Sequence, residues 1–510
     1  MSLFSQVRTK RPGYSAFNLS HERKQSMTMG TLTPFYLQEV VPGDRLRVNS
    51  ETFLRMAPTL APIMHRVNVT VHYFYAPNRI LWNNWQDFIT GGEDGANTNV
   101  VPTINLGVAH ESLLQKKTLY DYMGLPVPTT AMDPGATISV NALPFRAYAK
   151  IYNEYYRDQN LQDKAEVTGD NGVDADELAS IMTLRSRNWE KDYFTSCLPF
   201  AQKGSPVSAP IGFAYDPTPI GTDGLGNNLD PGDTLTIGSD GAAITSPSGS
   251  AFVLENIDPE STGIDVNELR QAVRLQEWLE TNARAGSRYV ESIQAHFDER
   301  VPDYTAQRPI FLGGGKVPVN ISEVLSTYSG EAANTHDLPQ GNMSGHGVAI
   351  GNTNQFKAKF SEHGFVIGIM SVTPRTAYQN GRNRMWNRQS KFDYYWPEFA
   401  QLGEQEVDIS ELYYDFAGNS TSGTFGYQSR YADYKFALSQ VAGDFRDNLA
   451  YWHMGRIFSQ KPALNGDFVE ADPRKDIYAV TDDGQDELYV QVYNNVKALR
   501  KMPKHNVPTL

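Results

Sequence analysis

Strand-like stretches are present in this chain but lie far apart. His65 to Ala76 reads HRVNVTVHYFYA and places Val67, Val69, Val71, Tyr73 and Tyr75 on one face, the period of a half-buried strand. His363 to Thr373, HGFVIGIMSVT, is a continuous apolar run that suits a strand buried on both faces. Near the end, IYAV and ELYVQVYNN flank Asp482-Asp483-Gly484, the pattern of a hairpin around an Asp-Gly turn. Helical inserts come between. Ala142 to Leu161 carries Phe145, Tyr148, Tyr152 and Tyr155 at helical spacing, and a second helix is expected from a cap at Asp265 to a stop at Gly286. Sparse strands separated by helices and long loops do not make a βαβ series. They predict a mainly β, antiparallel sandwich or barrel whose connections have grown. Loops of that length are at odds with a self-sufficient monomer and are expected where neighbouring subunits order them.

Composition agrees. The 510 residues include 27 Tyr, 24 Phe, 41 Gly and 29 Pro, a mixture that favours strands and turns over helix bundles. Cys197 is the only cysteine, so no intrachain disulfide forms and a reducing compartment fits. The first residues, MSLFSQVRTKRPG, lack the apolar run of a secretory signal, and no stretch reaches the 18 or so apolar residues of a membrane span, so neither export nor membrane insertion is expected.

Charge is segregated. The first 24 residues hold Arg8, Lys10, Arg11, Arg23 and Lys24 against Glu22, and the last 14 hold Lys497, Arg500, Lys501 and Lys504 with no acid. Each end is therefore +4, which leaves −21 for the body of a chain whose net charge is −13. From Gly204 to Leu269 there is no Lys or Arg at all. A chain with a polyanion on one side and water on the other has use for such a division. The terminal cations, followed by Tyr14 and Phe17, suit single-stranded nucleic acid, whose phosphates need neutralising and whose unpaired bases stack on rings. The Gly-, Asp- and Asn-rich stretch, with the strand-like pieces TLTI and AFVLE, reads as a small β-structured excrescence displayed outward.

No enzyme signature emerges, so no catalytic residue, cofactor or metal ligand is assigned. Cys197 in FTSCLPF reads as a plain buried cysteine. Gly313-Gly314-Gly315-Lys316 fails the phosphate-loop pattern, because Ile310 stands where a Gly is needed and Val317 replaces Ser or Thr, and it reads as a β-turn. Asp170, Asp174, Asp176 and Glu177 lack the EF-hand spacing and read as a solvated acidic loop.

Several long stretches closely resemble the major capsid protein of the Microviridae, small single-stranded DNA phages, in its gokushovirus-like branch. They include FNLSHERKQSMTMGTLTPFYLQEVVPGDRLRV from Phe17, LPFRAYAKIYNEYYRDQNLQ from Leu143, DYFTSCLPFAQKG from Asp192, LRQAVRLQEWLETNARAGSRYVESI from Leu269, YWPEFAQLGEQEV from Tyr395 and WHMGRIF from Trp452. The resemblance skips residues 205–265, where the family carries a variable insertion. It implies a single eight-stranded jelly roll with helix-containing loops, residues 31–496, between a basic N-terminal arm (1–30) and a basic C-terminal tail (497–510). It further implies sixty copies in a T=1 icosahedral shell around circular single-stranded DNA, assembled in the host cytoplasm with internal scaffolding, DNA-pilot and small basic packaging proteins. The nine terminal cations named above would then face the genome. The insertion would protrude toward a host surface receptor, with Asp223, Asn227, Asn228, Asp230 and Asp233 as contact candidates. A jelly-roll carbohydrate-binding protein or glycan hydrolase is the alternative on the residues alone, but no carboxylate pair stands out for it.

Overall fold

A computed structural model of the chain describes residues 13–205, 207, 236–237, 244–245, 266–286, 288–327, 341–414, 416, 423–480, 482 and 484–505. The chain divides into two compact units, residues 1–201 with 286–510, and residues 202–285. In chain order the strands are β1 (Ser15–Asn18), β2 (His21–Met27), β3 (Thr33–Val40), β4 (Arg45–Met56), β5 (Val67–Pro77), β6 (Thr103–Leu106), β7 (Ile138–Asn141), β8 (Thr236–Ile237), β9 (Ile244–Thr245), β10 (Ile310–Pro318), β11 (Asn320–Leu325), β12 (Met343–Lys359), β13 (Gly364–Pro374), β14 (Glu404–Asp408), β15 (Thr424–Ser429) and β16 (Leu488–Arg500).

Two large antiparallel sheets form the centre of the first unit, which also holds the two-stranded pairs β6-β7 and β14-β15. One large sheet runs β1-β16-β4-β12-β11 with β2 also on β16, and the other runs β10-β5-β13-β3. Strands β1 and β2 share one edge of β16: Ser15–Asn18 face Arg500 to Lys497, and His21–Met27 face Asn494 to Leu488. Between them Leu19 N donates to Val496 O (2.9 Å) and Val496 N donates to Ser20 Oγ (3.0 Å), so the two are one edge strand with a short interruption. At 31% strand and 24% helix the protein is mainly β, with antiparallel sheets consistent with a jelly roll.

Alternation in sequence becomes alternation in burial. In β4, Leu46, Val48, Ser50, Thr52, Leu54 and Met56 are buried, while Arg45, Arg47, Glu51, Phe53 and Arg55 are exposed. Strand β16 repeats the pattern, with Val490, Val492 and Val496 inward. These residues meet Val67, Val69, Val71 and Tyr73 of β5 in one core between the sheets. A short polar chain runs through that core: Tyr73 Oη donates to Ser50 Oγ (2.5 Å), which donates to Asn494 Oδ1 (2.6 Å).

The far face of the four-stranded sheet is also covered. Phe74, Ala76, Ile367 and Ile369 pack against Trp82 and the helix Leu143–Ile151 in a second core, which is why β5 and β13 are buried on both faces. The helix expected to reach Leu161 ends at Ile151 and continues as one π-turn, Tyr152–Tyr156. A third cluster joins Phe194, Cys197, Tyr378, Val407, Leu412, Phe425 and Phe468. Cys197 is buried there, its thiol donating to Tyr193 O (3.3 Å) and pushed up in pKa by burial.

Three expectations are corrected. The terminal hairpin does not form, because both edges of β16 are taken, by β1 and β2 on one side and β4 on the other; Ile477 and Tyr478 are buried and make only an isolated bridge from Tyr478 to Thr59. Gly313, Gly314 and Gly315 lie within β10 beside a bulge, not in a β-turn. The acidic segment is not wholly solvated, since Glu177 is fully buried and Asp174 caps the helix Ala175–Met182 by accepting from Glu177 N.

The second unit contains the pair β8 and β9, with Thr236 opposite Thr245, and a 20-residue helix, Val266–Ala285. That helix starts and ends where the sequence places it, although its capping candidate Asp265 and the piece AFVLE lie outside the described residues.

Candidate nucleic-acid interface

With helices over the outer face of the four-stranded sheet, the outer face of the six-stranded sheet is the one left to water. Its register brings together cations from three distant parts of the chain. Lys497, Arg47 and Lys357 stand side by side across β16, β4 and β12, and Arg45 and Lys359 form the next pair two residues along. All five are exposed, as is Lys501 just beyond β16. Among the described residues none of the six makes an ion pair. The first acids on this face, Glu51 and Glu22, flank Tyr493 on β4 and β2, closer to the other end.

Strands lie about 4.8 Å apart. Two like charges 5 Å apart in water repel by about 0.8 kcal/mol, and burial or neighbouring apolar surface raises that. A row of three unpaired cations is thus a standing electrostatic cost that a bound polyanion removes. Rings accompany the charges. Tyr14 lies under the Arg45 guanidinium (5.1 Å) and the Lys501 ammonium (5.5 Å), and Phe53, Tyr489 and Tyr493 are exposed on the same face. Cations with accessible rings neutralise phosphates and stack unpaired bases.

The terminal cations divide into groups. Arg8, Lys10 and Arg11 lie outside the described residues. Lys24, Lys497, Lys501 and Lys504 are exposed, Lys24 on β2 and Lys497 on β16. Arg23 and Arg500 are engaged in holding the fold. Arg23 donates to Tyr122 O (2.6 Å), with burial lowering its pKa. Arg500 donates to Glu39 O (2.9 Å) and lies 3.2 Å from the fully buried Asp44 carboxylate. Phe17 packs against the inter-sheet core, so of Tyr14 and Phe17 it is Tyr14 that is placed to stack. Part of each terminal stretch is therefore sheet. Sequence reading missed Arg45, Arg47, Lys357 and Lys359; the signal was the alternation of cation and apolar residue in RLRV and FKAK. Asp223, Asn227, Asn228, Asp230 and Asp233 lie outside the described residues.

A mainly β sandwich with one bare, cationic sheet face and large ordered loops has the make-up of a shell-forming protein. Residues 5–510 match the family described as "Capsid protein (F protein)". The chain is 34% identical to capsid protein VP1 of Chlamydia phage 1 and 34% identical to that of Bdellovibrio phage phiMH2K, each over 99% of this chain and 97% of the relative. It is 30% identical to capsid protein VP1 of Spiroplasma virus 4, over 97% of this chain and 95% of the relative. The chain belongs to this capsid protein family of the Microviridae, on its gokushovirus-like side.

Proposed function

We propose that the chain is a major capsid protein with a structural, non-enzymatic role, sixty copies of which close a T=1 icosahedral shell around a circular single-stranded DNA genome in the virion. The observation that carries the genome-facing part is the bare face of the six-stranded sheet, with six exposed cations unpaired among the described residues on a chain of net charge −13. Arg8, Lys10, Arg11, Lys24 and Lys504 extend the same contact. Strand order supports an eight-stranded jelly roll. With β1 and β2 counted as one strand and β11 as an added edge, four strands of each sheet remain; successive strands switch sheets along the chain except at β5 and β10, which are neighbours in one sheet, the order that two Greek keys give.

The insertion 205–265 is the outward protrusion in this reading. It helps select the host, with Asp223, Asn227, Asn228, Asp230 and Asp233 as contacts, because a stretch without Lys or Arg has no means of holding DNA. Replacing 215–260 by a short Gly-Ser linker leaves assembly intact and abolishes adsorption if that role is right. Internal scaffolding, DNA-pilot and small basic packaging proteins complete the assembly in the host cytoplasm. Native mass spectrometry of particles tests the shell: sixty subunits of 56.9 kDa give about 3.4 MDa of protein. A chain that stays monomeric or dimeric even when co-expressed with its phage partners would overturn the reading.

A further inference from the structure

The connection from β13 to β16 carries a run of large side chains that the subunit leaves in water. Phe392, Tyr394, Tyr395, Trp396 and Leu402, with Tyr434 and Phe436, are each 43–61% exposed. They are held in place. The short helices Lys391–Asp393 and Pro397–Phe399 shape the backbone, and the Asp393 carboxylate accepts from Gln389 N (2.8 Å) and Ser390 N (2.7 Å). Arg388 pairs with Asp433 and lies over both Tyr434 (4.2 Å) and Tyr394 (5.6 Å). Trp396 donates through Nε1 to Lys391 O (2.8 Å) and through its backbone N to Tyr431 Oη (3.3 Å), and Tyr395 packs edge-on against Tyr431 (5.0 Å).

We propose that this aromatic ridge is a contact surface between copies of the chain in the shell, a proposal that rests on the capsid reading above. Fixing large apolar side chains outside the core costs rotamer entropy and leaves water against them, so a partner is the physical reason to hold them. At about 200 Å² per large side chain, half exposure of seven leaves roughly 700 Å² of apolar surface. A stable interface takes about 800 Å² from each partner, so the ridge is of the size to seat a neighbouring subunit. Lys391, Arg430 and Lys435 stand around it as the polar rim that such contacts have. The family assembles shells of many copies, and closing one requires every identical subunit to present a patch that a different patch on its neighbour covers. The cationic sheet face is the genome contact in that reading and so is not free for the task.

Leu402→Cys tests the ridge, since the chain's single native cysteine is buried. In purified particles the new thiol should react at least tenfold more slowly with a maleimide than in subunits dissociated by mild denaturant, and a short cross-linker should join one copy of the chain to another. Equal reactivity in intact particles overturns the proposal while leaving the shell standing, and so does cross-linking only to a different phage protein. In a second arm, Phe392→Asp combined with Trp396→Asp should reduce particle yield at least tenfold while soluble subunits accumulate with an unchanged circular dichroism spectrum. Unchanged yield overturns it, and the labelling arm decides if the double variant does not fold. Failure of the capsid reading itself looks different, as no megadalton species from the unaltered chain.

Discussion

Arg146 and Glu177 form a two-pronged ion pair in which neither side chain is exposed: Nε and Nη2 of the guanidinium donate to the two carboxylate oxygens, each at 2.9 Å. The remaining donors reach Asp170 O and Gly172 O (2.9 Å each), and Glu177 also accepts from Thr168 Oγ1 (2.8 Å). The pair thus ties the loop 168–174 to the helices that cover the four-stranded sheet. Removing one partner leaves a buried charge uncompensated, at a cost of about 3–5 kcal/mol. Glu177→Ala should lower the urea midpoint of the subunit by that amount of stability, and the joint change Arg146→Met with Glu177→Leu should restore most of it. A loss under about 1 kcal/mol for the single variant would contradict the pair's structural role.

His72 predicts a pH dependence. Burial, with the charge of Arg187 as the smaller cause, lowers its pKa to about 4 from an ordinary 6.5, and its Nδ1 shares a hydrogen bond with Tyr156 Oη (2.9 Å). Above pH 6.5 the ring is neutral in both folded and unfolded chains and has no linkage effect. Below it the unfolded chain takes up a proton that the folded chain refuses until about pH 4, so stability falls through that window, by up to roughly 3 kcal/mol from this group. Equilibrium unfolding at a series of pH values should therefore show a shallower slope for His72→Gln than for the unaltered chain between pH 6.5 and 4. Parallel slopes would show that the ring does not titrate this way.

Gly314 fixes the spacing of β10 and β5. A Cβ placed on it would lie 2.2 Å from Val71 O and 2.8 Å from the His72 ring, and the neighbouring Gly313 has φ +149° at the bulge. Gly314→Val should cost at least the ~1–3 kcal/mol of an overpacked site, read as a lower denaturation midpoint, and Gly314→Ala should act in the same direction. A neutral Gly314→Val would mean that the two strands separate freely.

Where the sequence was legible, burial pattern and chain position coincided. Strand β13 shows as a continuous apolar run because it is buried on both faces as its pattern says, whereas β5, which alternates like a half-buried strand, is also buried on both, with Asn68, Thr70, Phe74 and Ala76 covered on the second face. Strand β4 was hidden because polar Ser50 and Thr52 face the core while Phe53 faces water, an arrangement made tolerable by the hydrogen bonds of Ser50 with Tyr73 and Asn494 and of Thr52 Oγ1 to Gly351 O (3.4 Å). Strand β12 carries Gly345, Gly347 and Gly351, a residue type that weakens a strand signal, yet an added Cβ at each would strike Thr59, Met56 or Val317 within 2.5 Å, so they are places of close approach inside a strand. The terminal cations were legible because they cluster in sequence. The cationic sheet face was not, because residues near 45, 357 and 497 become neighbours only through the register of β4, β12 and β16.

That register also separates two kinds of cation by experiment. Arg45, Arg47, Lys357 and Lys359 are exposed and without an ion-pair partner among the described residues, so replacing all four with Ala should leave the subunit folded. It should flatten the log–log salt dependence of single-stranded DNA binding by about 0.7 for each phosphate no longer neutralised, and reduce the DNA packaged per particle. Arg23→Ala and Arg500→Ala should do the reverse: they remove donors to Tyr122 O and Glu39 O and the partner of buried Asp44, so they should lower stability more than they alter the salt slope. The triple replacement of Arg8, Lys10 and Arg11 should behave like the sheet-face variant if those residues reach the same DNA. Filter-binding isotherms at several salt concentrations, together with the ratio of DNA to protein in purified particles, read all three. An unchanged slope and genome content in the sheet-face variant would remove this surface from the genome contact and leave its charges to another polyanion.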